Sequence, residues 1–144
     1  MTEHHTLICF DFGTKSIGIA IGQEPVNTTN ELPPIPAKEG IPNWDDITGL
    51  IEEWKPTLVL VGLPLNMDGS EQELTRRARK FGNRLHGRFG LRLEFVDERL
   101  RTRAAQSVAH ERGHKGNYNK APVDSIAARL ILESWYSARS NNKE

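Results

Sequence analysis

The sequence predicts an α/β fold, a five-stranded mixed sheet flanked by helices, on three observations. Strand signals, a short apolar run and an alternating segment, open the chain, helical patterns alternate with short apolar strands after them, and capping residues or prolines mark the borders. Three strands followed by helix, strand, helix and strand make a meander that feeds right-handed crossovers. A chain of 144 residues with 37% hydrophobic composition is long enough for one core and short for two. Residues 1–144 are therefore expected to form a single domain.

Leu7 to Phe10 is a short apolar run read as a buried strand, and Ser16 to Ile21 sets Ile17, Ile19 and Ile21 in alternation with Gly18 and Ala20. Phe12-Gly13-Thr14-Lys15 is the turn between them. Val26 to Leu32 is polar enough for a third strand near an edge. Pro33-Pro34-Ile35-Pro36 and on to Pro42 is expected to be loop, because proline removes ladder donors. Asn43 caps a helix from Trp44 to Trp54, with Asp45 and Asp46 in the first turn and Pro56 behind its end. Thr57 to Val61 is the next strand. Ser70 and Glu73 form a capping box for a helix to about Arg88, and Leu91 to Val96 alternates as the fifth strand. Arg101 to Arg112 is read as helix, 113–119 as a glycine-bearing basic loop, and Pro122 as the first residue of a closing helix to about Ala138. Val123, Ile126, Ala127, Leu130, Ile131 and Ser134 share a face of that helix and are expected to dock on the sheet. Residues 139–144 are expected to be a disordered tail.

The net charge is zero, with 19 basic and 19 acidic residues, but the distribution is uneven. Met1 to Pro56 holds nine acidic residues against three basic, whereas Arg76 to Arg103 holds ten basic against three acidic. Such a segment can serve as an electrostatic footprint for phosphates or as a solvated helix face. At helical spacing Arg76, Lys80 and Arg84 fall on one stripe. The single cysteine, Cys9, has no disulfide partner, which fits a reducing cytoplasm. No stretch resembles a signal peptide or approaches the roughly 20 apolar residues of a membrane span.

Three carboxylates stand where chemistry collects. Asp11 ends the first strand before a glycine turn, Glu98 follows the fifth strand by two residues, and Asp124 lies near the start of the closing helix. Rims of parallel sheets are where ligands bind, and carboxylate oxygens suit Mg²⁺ or Mn²⁺. The matching chemistry is in-line attack on a phosphodiester with divalent metal. Each residue also has a plainer reading. Asp124 at a third helical position would serve the helix dipole, and Asp97 or Glu98 would pair with Arg99 or Arg101. Adjacent side chains on an extended segment point to opposite sides, so Asp97 and Glu98 both stay open as the second ligand.

Four blocks in order, Asp11-Phe12-Gly13-Thr14-Lys15-Ser16-Ile17-Gly18-Ile19-Ala20, Val61-Gly62-Leu63-Pro64-Leu65-Asn66-Met67-Asp68-Gly69, Val96-Asp97-Glu98-Arg99-Leu100 and Val123-Asp124-Ser125-Ile126-Ala127-Ala128, resemble the signature of the YqgF family, also called the RuvX group. The resemblance implies an RNase H-like fold. It implies a family described as Holliday junction resolvases and as nucleases maturing the 5′ end of pre-16S ribosomal RNA, with Asp11, Glu98 and Asp124 at the acidic active-site positions. One departure is that Arg101 precedes Thr102 where the family commonly has two threonines. Lys120 matches a basic position of the family.

The expected function is a cytoplasmic metal-dependent nuclease acting on pre-ribosomal RNA, with branched DNA as the alternative substrate. Lys15, Arg76, Lys80, Arg84, Arg99, Lys115 and Lys120 are expected to meet the nucleic acid. The loop 113–119 is expected to be mobile without substrate and to close over the scissile phosphate. The chain is expected to act as a monomer or weak homodimer. An actin-like phosphotransferase would need a second phosphate loop, which 144 residues do not supply. A non-catalytic RNA-binding assembly factor would gather carboxylates at a rim at electrostatic cost without use.

Overall fold

The computed structural model describes residues 5–98 and 120–142, with backbone alone at 120–124 and 140–142. Its elements are β1 (His5–Asp11), β2 (Ser16–Glu24), β3 (Thr28–Lys38), β4 (Ile41–Pro42), α1 (Trp44–Trp54), β5 (Leu58–Leu63), α2 (Glu73–Phe89), β6 (Arg92–Asp97) and α3 (Lys120–Asn142). The readings placed on Arg99, the helix 101–112, the loop 113–119 and Lys115 lie outside the described residues. Among the described residues no helix is long and apolar enough to cross a membrane.

Among the described residues the sheet has six strands in the order β4-β3-β2-β1-β5-β6, not five. β1 pairs with β2 and β2 with β3 antiparallel, while β1, β5 and β6 run parallel. The extra strand comes from the proline-rich segment, which is strand rather than loop: β3 continues through Pro33, Pro34 and Pro36 to Lys38 and then pairs with β4. Proline is tolerated because the register slips here. Ile17 pairs with Ile35 but Ile19 pairs with Leu32, so Pro33 and Pro34 together oppose Gly18 in a bulge. Among the described residues the outer side of β3 pairs only with the two residues of β4, so few ladder donors are demanded of it.

Strand alternation sorts the core into two layers. Ile8, Phe10, Ile17, Ile19, Ile21, Val59 and Val61 face α1 and α2, whereas Leu7, Cys9, Ala20, Leu58, Leu60 and Val96 face α3. α1 follows its sequence signals closely: the Asn43 side chain accepts from the Asp45 N–H at 3.0 Å, and the helix ends at Lys55 in a left-handed conformation. α2 starts differently. Ser70 is occupied, its N–H and hydroxyl donating to Asp68 Oδ1 and its Oγ accepting from Asn66, so it closes the 66–70 loop instead of capping. The cap passes to Gln72, whose N–H donates to Thr75 Oγ1 while the Thr75 hydroxyl donates to the Pro64 carbonyl.

The last helix docks through a stripe that overlaps the expected one at Ile131. Ala128, Ile131, Leu132, Trp135 and Tyr136, spaced at i, i+3, i+4, i+7 and i+8, form the layer with the sheet. Ile126 and Leu130 are buried too, so the helix is apolar on more than one side and periodicity alone does not select the docking face. It extends to Asn142, past the 139 boundary at which a tail was expected, and Arg139 donates to Glu24 at 2.7 Å.

Candidate active site at the rim of the sheet

The C-terminal ends of β1, β5 and β6 open on one rim, and two of the three expected carboxylates meet there. Asp11 has the parity of Leu7 and Cys9 and so lies in the α3 layer. The β1–β5 register ends at Phe10 opposite Val61, and one further step sets Asp11 beside Gly62. Glu98 follows β6 and has the parity of Val96, again the α3 layer. Its side chain lies over Gly62, since a Cβ placed on that glycine would come within 3.0 Å of Glu98 Cγ and 3.2 Å of its carboxyl carbon. Asp97 has the parity of Leu93 and Phe95, which face α2. Asp11 and Glu98 are both half-buried, on strands that flank β5 and so about two strand spacings (~10 Å) apart in backbone terms, with Gly62 of β5 between them.

Electrostatics agrees with this placement. The Cys9 thiol is pushed well above its ordinary value, first by complete burial and then by the negative charges of Asp11 and Glu98. Both carboxylates therefore act on one point beneath the rim.

Asp124 is the fifth residue of α3, because the helix begins at Lys120 instead of Pro122. That places it beyond the first turn, where the dipole favours carboxylates most. Its backbone is located by Ser125, which is 2% exposed. The Ser125 hydroxyl accepts from the Ile19 N–H and donates to the Leu32 carbonyl, taking over the two backbone groups that flank the β2–β3 bulge. Ile19 lies one residue from Gly18, the pairing partner of Asp11. The start of α3 is thus pinned at the same rim.

A hard divalent cation wants oxygen ligands, and the pair Asp11 and Glu98 offers them over a glycine that leaves room for the second. Among the described residues no three His, Cys, Asp or Glu side chains form a metal-sized group; the Asp124 side chain is outside that set. Lys15 is exposed in the β1–β2 turn, and its carbonyl accepts from the Ala37 N–H at 2.9 Å. The 66–70 loop presents Met67 at 90% exposure. Arg76, Lys80 and Arg84 do lie on one exposed stripe of α2 and line a common groove, in the layer opposite Asp11.

Two residues that matter to this geometry, Gly62 and Ser125, lie inside the signature blocks but are not among the expected site residues. A glycine inside an otherwise apolar strand signals close approach. A serine between Asp124 and an apolar helical run is the corresponding signal for a buried hydrogen bond.

The sequence pattern of the RuvX family, described as Holliday junction resolvase, matches residues 5–138. A protein of Saccharophagus degradans named "Putative pre-16S rRNA nuclease" is 66% identical over 131 residues, 91% of this chain and 92% of that one. A Pectobacterium atrosepticum protein of the same name is 56% identical over 137 residues, 95% of this chain and 99% of that one. Among solved structures, RuvC of Thermus thermophilus in complex with a Holliday junction superposes with a TM-score of 0.60 at 11% identity, covering 93% of this chain and 96% of that one. Fowlpox virus resolvase with its junction DNA gives 0.58 at 14% identity, covering 92% and 97%. These two likenesses establish the fold, an RNase H-like α/β sheet.

Proposed function

The chain belongs to the RuvX family, and from that premise we propose that it is a cytoplasmic, metal-dependent nuclease that cuts pre-16S ribosomal RNA on the 5′ side. The observation that carries the proposal is the Asp11–Glu98 pair, brought from two distant segments to one layer of one rim over Gly62. Relatives that cover nearly the whole chain carry the nuclease name.

Asp11, Glu98 and Asp124 would hold Mg²⁺ or Mn²⁺, which when bound supplies polarisation of the phosphodiester and activation of water. The chain's own contribution is to fix the ligands. Gly62 keeps the space in which Glu98 lies, β1 carries Asp11 to the strand end, and Ser125 ties the start of α3 to β2 and β3. Lys15, Arg76, Lys80, Arg84, Arg99, Lys115 and Lys120 supply positive charge for the phosphates on either side of the cut. One site per chain serves for a single cut, so a monomer or weak homodimer suffices, whereas resolving a four-way DNA junction asks for two sites related by a two-fold axis.

The test is cleavage by the purified chain of an RNA spanning the mature 5′ end, alongside a four-way DNA junction, each with Mg²⁺, Mn²⁺ or chelator. The expected result is metal-dependent RNA cleavage at a defined position. Cleavage of the junction alone would transfer the function to branched DNA, and cleavage unaffected by chelator would remove the metal from the account.

A further inference from the structure

The basic stripe of α2 borders a groove of about 400 Å³ on the side of the sheet away from Asp11 and Glu98. Its floor is aromatic: Phe12 and Trp44 pack on Phe81 with ring centroids 5.4 and 5.9 Å away. One wall is α2. The other is the turn between β3 and β4, and that wall is built to stay in place. Glu39 and Gly40 both have positive φ, 53° and 82°, as a two-residue hairpin turn of this hand requires. The Gly40 N–H donates to the Thr14 carbonyl at 2.8 Å. A Cβ on Gly40 would come within 2.8 Å of Phe12 Cζ, so the turn sits directly on that ring. Phe12 is the residue after Asp11. The groove therefore begins one residue from the cutting rim, in the other layer.

Its charge is incompletely balanced. Arg76 and Arg77 share Glu73, but among the described residues Lys80 and Arg84 take part in no ion pair, and both are exposed. Opposite them Ile41 is 54% exposed. Glu39 lines the same wall as Ile41, so the groove sets Arg76, Arg77, Lys80 and Arg84 against Glu39 and Glu73, and this net positive lining with an exposed apolar side chain suits a strand of phosphates with unpaired bases. The volume lies in the range of about 300–1,000 Å³ typical of small-molecule sites, room enough for a single nucleotide.

We infer that this groove is a subsite for a single-stranded flank of the substrate, phosphates against Lys80 and Arg84 and a base against Ile41. The inference rests on the polynucleotide reading above and narrows it. A substrate that fills both places crosses the rim between layers, so it is unpaired on one side of the cut.

Binding without cleavage tests it. An RNA hairpin with blunt ends and the same hairpin with an unpaired extension at either end are titrated with the full chain in chelator, followed by fluorescence anisotropy. One of the extensions is expected to tighten binding by about tenfold, and Lys80→Glu with Arg84→Glu to abolish that gain, circular dichroism showing the fold intact. Ile41→Asp is expected to reduce the gain as well. Three results overturn the inference: no gain from either extension, a gain that survives the double substitution, or displacement of the RNA by an acidic peptide as effective as single-stranded RNA, which would make the groove a protein-docking site. Because metal and cleavage are absent, a chain that binds the flank but cuts nothing would refute the nuclease reading and leave this one standing.

Discussion

Replacing Asp11 by Asn is expected to lower the single-turnover rate of RNA cleavage by about 10³-fold while leaving the melting temperature unchanged or raised. A carboxylate that positions a divalent cation on a phosphodiester contributes several kcal/mol to transition-state stabilisation, and ~4 kcal/mol corresponds to about three powers of ten. The stability half follows from the electrostatics. Asp11 and Glu98 are half-buried and both press on the Cys9 thiol through their charge, so neutralising one relieves repulsion between like charges. An Asp11→Asn protein that cuts at the wild-type rate would take Asp11 out of the chemistry. One that melts several degrees lower would make the residue structural.

The second large effect is expected at a residue with no functional group. Gly62→Ala should lower the rate by about 10²-fold and raise the metal concentration needed for half-maximal activity. The added Cβ would lie 2.7 Å from Ile131 Cδ1 and 3.0 Å from Glu98 Cγ. Ile131 presents only the far end of its side chain, Cδ1, but it is fully buried, so its shift adds a cost in stability. Glu98 can make room only by moving its carboxylate, and a misplacement of about 1 Å costs about 10²-fold in a positioned site. The metal dependence separates this from damage to the fold, because a smaller folded fraction lowers the rate at every metal concentration without shifting the midpoint. Full activity at the wild-type metal midpoint would mean that Glu98 need not occupy the space over Gly62.

What was legible in the sequence was local. α1 was readable to its ends because Asn43, Asp45 and Pro56 are neighbours of the helix they delimit. Asp11 and Glu98 are legible as rim residues because each stands at the end of a strand with a clear signal, a continuous apolar run before Asp11 and an alternating one before Glu98. The misreadings all involve a distant partner. The segment from Pro33 to Pro36 was read as loop, yet it is strand because a bulge absorbs two prolines and Ser125, 93 residues from Leu32, takes a backbone group beside it. Ser70 was read as a helix cap, but Asp68 and Asn66 occupy it, and the cap that forms depends on the Pro64 carbonyl across the loop. The docking face of α3 is legible in part: Ile126, Leu130 and Ile131 are buried, but the layer on the sheet also takes Ala128, Leu132, Trp135 and Tyr136, which the sheet and not the period selects. Gly62 belongs with these, since its consequence for Glu98 exists only after β5 and β6 pair.

The central claim, a hydrolytic metal-dependent cut at the site of Asp11, Glu98 and Asp124, is tested most directly by single-turnover cleavage of one RNA by wild type and by Asp11→Asn, Glu98→Gln, Asp124→Asn and the triple variant. Residues that act as one unit are strongly non-additive. The account predicts that each single substitution removes most of the metal-dependent rate and that the triple variant is little worse than any of them. A single variant that retains the wild-type rate, or losses that multiply as independent steps, would contradict it.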